Sequence, residues 1–491
     1  MLFRINPVIR KIFLGGAITL TIAVQGCLSI PPHEAATLPT QDAYKLDQTV
    51  STALSSPAFS RGAWPQQDWW RRFGDPQLDR LMDAALAGNP DIRIAEARVR
   101  QAEQIAAAAH GDIYPDISAN ANVTHERFSK TWIFPPDIAN SAKTEGKISL
   151  DIAYDLDLWN RNRDLYRSRL NAAQAASADQ AETRLAISAS LVHAYFQLHD
   201  HLDRLDVARD ALAQRRSLAQ LIRLRADHGL ETISAVKSAD ADVAREEAIV
   251  VALTREAGSD KREIASLMGK GPDDAAQINP PVIHVADTFP VPDELPIDLL
   301  ARRPDITAER WRVEAAAQEI GAAKAGFYPN INIAASAGLQ SLELKDLFKN
   351  DSVFSAFGPA IHLPIFHAGR LRAELGATYA EYDMAVEQYH RTLVNAARQV
   401  ADQLAAVRSL AQENDHQEEA LRDSEEAYRL SRVRYENGVS SYLTVLQAQR
   451  DLLQQRDVNT QLRGAQLQAI VELIRALGGG YVADGTPPAR S

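Results

Sequence analysis

Apolar and polar residues alternate strictly in four separate stretches of this chain. Ile117, Ala119, Ala121 and Val123 interleave with Ser118, Asn120, Asn122 and Thr124. Ile148, Leu150, Ile152, Tyr154, Leu156 and Leu158 interleave with Ser149, Asp151, Ala153, Asp155 and Asp157. Ile331 to Leu339 and Phe357 to Leu363 repeat the pattern. A period of two predicts strands with one apolar and one polar face. Elsewhere the period is helical: Leu393, Ala397, Val400, Leu404, Val407 and Ala411 fall at spacings of four and three, a heptad seam. Residues 137–271 and 365–486 contain no proline, and within them 164–228 and 371–437 each read as one helix. At 1.5 Å per residue such a helix is about 100 Å long, more than a compact domain needs.

The elements recur. Asn89-Pro90-Asp91-Ile92 leads to Tyr114-Pro115-Asp116-Ile117, and Arg303-Pro304-Asp305-Ile306 leads over the same spacing to Tyr328-Pro329-Asn330-Ile331. Between these landmarks Arg98/Arg312, Val99/Val313, Ala102/Ala316, Gln104/Gln318, Ala108/Ala322 and Ala109/Ala323 are identical. The unit is too long for a solenoid repeat and reads as one structure made twice. Past each long helix, Gly229 and Thr232 align with Gly438 and Ser441. The glycine ends the helix in a left-handed conformation and the hydroxyl residue caps the next, giving a tight-tipped hairpin in each half. The return helices run to Gly269 and to Gly478-Gly479-Gly480. This assigns 63–271 to a first repeat, the proline-rich 272–296 to a linker, 297–480 to a second repeat and 481–491 to a tail.

Strands of about ten residues suit a tilted membrane-spanning strand. Asp151, Asp155 and Asp157 share one face of the second strand and are tolerable there only against water, which places them in a lumen with lipid on the opposite face. Four strands cannot close a barrel, and an open edge in lipid leaves backbone groups unpaired at several kcal/mol each. The remaining strands must come from other copies of the chain.

The first 26 residues are an export signal. Arg4, Arg10 and Lys11 precede an apolar run from Ile12 to Val24, too short to span a bilayer, which takes about 20 residues. Cys27, the single cysteine, follows after Gln25 and the small Gly26. The stretch resembles a bacterial lipobox, with Gln25 an atypical member, so Cys27 is expected to carry lipid as the mature N-terminus. Leu28 after it implies the outer membrane. No disulfide is then available, and residues 27–62, rich in small and polar types, read as a tether. Removing the three positive charges of the signal takes the formal net charge from −11 to −14. That balance, with no basic cluster, argues against a nucleic-acid partner.

Together these residues resemble the outer-membrane efflux factors, the TolC-like family, and within it the NodT-type lipoprotein branch. Trp69-Trp70, Asp75-Pro76-Gln77-Leu78, Tyr154 to Trp159, Ala301 to Ile306, Leu363 to Phe366 with Gly369-Arg370, and Ala476 to Gly480 carry the resemblance. It implies an α+β membrane protein: a trimeric outer-membrane β-barrel of twelve strands, four per chain, continued by a long periplasmic α-helical barrel. It also implies a passive duct in a tripartite pump, with a periplasmic adaptor and an inner-membrane transporter of RND, MFS or aromatic-acid exporter type. Trp64-Pro65, Gly338 to Ser341 and Leu347 to Lys349 look closest to the fusaric-acid and aromatic-compound exporters. In relatives, aspartates just past the second tip close the periplasmic aperture. Here Thr444 and Gln447 stand at those positions, and Ala235 aligns in the first half. Tyr435 resembles a tyrosine of the closing network. The aperture is therefore assigned to Gly229, Ala235, Tyr435, Gly438, Thr444 and Gln447.

No catalytic reading competes. The twelve histidines are scattered, His199 and His201 point apart on a helix, and there is neither a zinc-protease motif nor a nucleophile elbow. No metal and no cofactor other than the lipid is expected. A lipid-anchored coiled-coil protein without a pore would explain the helices but not four alternating strands at matching points. A duct for polypeptides remains an alternative to one for small molecules.

Overall fold

The computed structural model describes residues 30, 32–33, 36–38, 46–131, 135–284, 288–292 and 302–483. Cys27 and the export signal lie outside them. Among the described residues eight α-helices and six strands follow in chain order: α1 (Asp47–Leu54), β1 (Phe59–Arg61), α2 (Pro76–Gly88), α3 (Pro90–Gly111), β2 (Asp116–Arg127), β3 (Ala142–Asp155), α4 (Arg161–Asp227), α5 (Ile233–Leu267), β4 (Phe289–Val291), α6 (Pro304–Ala325), β5 (Asn330–Ser341), β6 (Val353–His362), α7 (Arg370–Glu436) and α8 (Tyr442–Ala476).

The duplication is metrically close. α3 and α6 both have 22 residues, β2 and β5 both 12, α4 and α7 both 67, and α5 and α8 both 35. The repeated Pro-Asp-Ile landmark has the same task in each half. The residue before its proline ties down the end of that half's return helix: Asn89 Nδ2 donates to Leu267 O at 2.8 Å, and Arg303 Nη1 to Ala476 O at 3.0 Å. Gly269 and Gly478, with φ of 70° and 86°, sit so close to the backbone carbonyls of Gly88 and Arg302 that a side chain would collide with them. Glycine is thus required twice over, for its conformation and for its lack of a Cβ.

Two compact units are distinguished. The first contains Arg100–Ala175 and Arg310–Tyr389, with the described residues up to Leu38. Its centre is a four-stranded antiparallel sheet of order β2-β3-β5-β6. Direct pairing puts Ser118, Asp151, Ser336 and Ala356 on one face, and Ile117, Ile152, Ala335 and Phe357 on the other. The apolar face is bare: Ile117, Val123, Leu150, Phe357 and Ile361 are all exposed. β2 and β6 leave both sheet edges without a partner strand among the described residues.

The second unit contains Pro39–Val99, Ala176–Glu309 and His390–Ser491. Trp69, Trp70 and Phe73 are buried in it, and Phe73 meets Phe196 edge-on at 4.8 Å. Asp75 caps α2 by accepting from Gln77 N, and also accepts from the Tyr195 hydroxyl at 2.5 Å and from Val282 N. Those hydrogen bonds hold its carboxyl below the usual range despite burial.

Three of the elements differ from the sequence reading. The tether is not featureless: α1 and β1 lie within it, and β1 pairs in parallel with β4 from the linker. On α7 the seam runs through Ala396 rather than Ala397, and Asn414, hydrogen-bonded to Gln466, continues it instead of Ala411. Finally, β3 ends at Asp155, so Leu156 and Leu158 are not strand residues.

Candidate functional site

The two hairpin tips are built alike. Beyond α4, Gly229 takes φ 72° and Leu230 N donates back to Arg225 O; beyond α7, Gly438 takes φ 74° and Val439 N donates back to Arg434 O. Each is a left-handed helix stop with the 6→1 bond of the Schellman motif. Thr232 caps α5, accepting from Ala235 N at 3.1 Å, as its type and position predict. Ser441 does not cap α8: its hydroxyl meets Thr444 Oγ1 at 3.3 Å instead.

Between the hairpins lies a buried cluster of Ala219, Ile222, Ala239, Tyr435, Tyr442 and Val445, with Ala235 packed against it. Tyr435 is 1% exposed. Arg225 lies over its ring at 4.8 Å, and its hydroxyl donates to Glu231 at 3.3 Å. Burial pushes the phenols of Tyr435 and Tyr442 upward, with Asp242 adding to the effect at Tyr442. Tyr435 therefore ties the two hairpins of its own chain together. Thr444 and Gln447 are exposed on α8. Four large apolar side chains stand bare at the tips: Leu230, Ile233, Val439 and Leu443.

Charged pairs join α4 to α5. Arg215 reaches Glu246 at 2.9 Å, Arg216 reaches Glu247 at 2.7 Å, and Arg223 pairs with Asp240. His201 bonds Asp260 at 2.6 Å and His199 faces Asp203, so these histidines have separate acidic partners. Among the described residues no three His, Cys, Asp or Glu side chains gather to hold a metal ion.

On the polar sheet face Asp151 is a hub, accepting from Asn120 at 2.8 Å, Ser149 at 2.8 Å and Ser336 at 2.5 Å. Asp155 accepts from Asn330 at 3.0 Å on the same face. Asp157 is not a third member. It is 7% exposed, has φ 43°, and caps α4 by accepting from Asn162 N and Arg163 N. Alternation carries the strand three residues too far, to Leu158, where the chain turns instead to enter a helix whose first amides need an acceptor.

The outer membrane efflux protein family matches this chain over residues 81–270 and 295–479. The chain belongs to that family. The efflux protein is 32% identical over 379 residues to the fusaric acid resistance protein FusA of Burkholderia cepacia, covering 76% of this chain and 71% of that one. It is 31% identical over 486 residues to the multidrug resistance outer membrane protein MdtQ of Escherichia coli O157:H7, covering 94% and 97%. The solved outer membrane protein VceC of Vibrio cholerae matches its fold with a TM-score of 0.81 at 34% identity, over 85% of this chain and 100% of that one. Family and fold agree with the expectation from the strands and helices: this is an efflux protein of the outer membrane. The strand faces and the tip glycines were legible in the sequence; the hydrogen bonds converging on Asp151 were not, and the exposed Leu230, Ile233, Val439 and Leu443 were overlooked, although apolar residues flanking a tip glycine were their signal.

Proposed function

We propose that the chain is one subunit of a passive trimeric duct for small organic molecules, working with a periplasmic adaptor and an inner-membrane transporter. The observation that carries the reading is the sheet, with one bare apolar face, one polar face and two free edges. In lipid such edges are untenable, and pairing β2 of each copy with β6 of the next removes all of them. Three copies give twelve strands. The apolar face then meets lipid and the Asp151 face lines water. A duct performs no catalysis, and the energy for export comes from the transporter.

The bare tip residues Leu230, Ile233, Val439 and Leu443 offer the adaptor an apolar surface beside charged pairs. Lipid on Cys27 fits the placement of Ile30, which packs with Phe327, Leu375 and Tyr379 just before β5. The exported molecules are proposed to be organic compounds of the kind named for the relatives, fusaric acid among them.

Two measurements test this. Crosslinking of the detergent-solubilised protein is expected to give a trimer, and a stable monomer would refute the barrel. Mass spectrometry is expected to find an acylated Cys27 at the mature N-terminus; an unmodified Cys27 in a longer chain would end the lipid proposal.

A further inference from the structure

A cleft of about 490 Å³ opens in the first unit where the strands give way to helices. Its walls include Asp155, Asn330 and His362, which the sheet register places on the Asp151 face. If that face lines the duct, the cleft opens to the lumen, so a part for the cleft in transport rests on the duct reading. Its volume is that of a small-molecule site.

Trp159 forms part of the wall, and its ring is fixed from two sides. The indole Nε1 donates to Pro329 O at 2.8 Å, and the ring stacks on Tyr328 at 4.6 Å with an interplanar angle of 22°. The side chain is nevertheless 46% exposed. An indole held this rigidly presents a flat apolar surface without having to be ordered on binding. The turn that presents it is strained: Asp157 and Asn160, on either side of Leu158 and Trp159, have φ of 43° and 61°. The segment that leads into α7 repeats the device, with Ala368 at φ 49° following the lining residue His367. Non-glycine residues held in left-handed conformations cluster where a structure positions functional side chains.

The charges of the cleft are not equivalent. Glu319 accepts from Ser168 and Arg169, Glu374 pairs with Arg370, and Asp155 is held by Asn330 and by Asp157 N. Arg161, at the start of α4 and two residues from Trp159, has no hydrogen-bonding or ionic partner among the described residues. Glu381 also lacks one, but lies eleven residues along α7 from Arg370, about 16 Å away. The uncommitted charge next to the indole in the chain is therefore positive.

We infer that this cleft is a transit site for planar aromatic carboxylates, the ring stacking on Trp159 and the carboxylate meeting the Arg161 guanidinium. A fixed aromatic plane beside a free guanidinium complements such a ligand in both shape and charge.

The test uses the full-length protein in detergent, with 2-naphthoate, 2-naphthol and 2-naphthylmethylamine as probes read by titration calorimetry. Wild type is expected to bind 2-naphthoate saturably, more tightly than either of the others. Arg161→Gln, an exposed substitution, should weaken naphthoate about tenfold and leave naphthol unchanged. Trp159→Leu should weaken naphthoate and naphthol alike by about three- to tenfold, while Trp159→Phe retains most of the binding. Absent naphthoate binding, wild-type affinity in both Arg161→Gln and Trp159→Leu, or a preference for the amine would each overturn the inference. Conductance of the wild-type protein in a planar bilayer is measured separately. A conducting protein that does not bind naphthoate removes the site and leaves the duct. A non-conducting one removes the duct, and the titrations still decide the site.

Discussion

The Tyr435 hydroxyl donates to Glu231 Oε1 at 3.3 Å, linking the last turn of α7 to the loop between α4 and α5. The ring itself is buried against Tyr442 and Ile222. The hydrogen bond is long and the packing complete, so packing dominates. Tyr435→Phe is expected to cost about 0.5–1.5 kcal/mol at most. Tyr435→Ala should cost about 3–5 kcal/mol, because it leaves a cavity between the hairpins. Hydrogen exchange of the tip amides measures both; equal effects would show that the hydroxyl, not the ring, holds the tip.

Gly438 has open space around it and a φ of 74°. Only the backbone resists substitution, and a side chain in that conformation costs roughly 1–2 kcal/mol. Gly438→Val is expected to loosen the tip and reduce efflux while the protein still assembles. Normal export by this variant would remove the tips from the transport path.

Thr444 is exposed on the first turn of α8. Thr444→Asp in three copies would form a ring of like charges and make conductance more cation-selective. Single-channel recording across a salt gradient checks this. An unchanged reversal potential would show that position 444 does not line the aperture.

Gly338 is the most crowded glycine of the sheet. A Cβ there would collide with Ile148 O and lie 2.8 Å from Ser149 Cα. Both are backbone atoms in a paired strand, so neither can move without breaking the ladder. Gly338→Val is expected to abolish the assembled protein, whereas the same change at Gly358, which has nothing within 4 Å, is tolerated. Gel electrophoresis of unheated samples compares the two.

Burial, and then the neighbouring Asp305, push the Glu182 carboxyl up to about 7, against the pull of Arg475 and Arg303. A carboxyl whose folded value is raised favours the fold most when protonated. Its contribution is complete below the unfolded value of 4.5 and is lost as pH rises towards 7. Glu182→Gln should therefore flatten the fall in melting temperature between those pH values. An identical fall in the variant would assign the dependence to another group.

What the sequence determined by itself was whatever depends on local periodicity and punctuation. Alternation fixed which residues of β2, β3, β5 and β6 share a face, because side chains of a strand point to opposite sides by necessity. Inside the proline-free stretches 137–271 and 365–486 the helical reading placed two helices to within three residues at their starts, and Gly229 and Gly438 marked their ends. Tertiary structure decided what depends on distant partners. Whether alternation past Asp155 stays in the strand turned on α4, whose first amides claim the Asp157 carboxylate. Ser441 and Thr232 occupy equivalent positions, yet only Thr232 caps, since the Ser441 hydroxyl has Thr444 within reach. β1 and β4 are three residues each and carry no pattern of their own. They are strands because Phe59 and its partner Phe289, 230 positions apart in the chain, are side by side in space. Short segments gain their hydrogen bonds only from each other, and no local signal can announce a partner so far away.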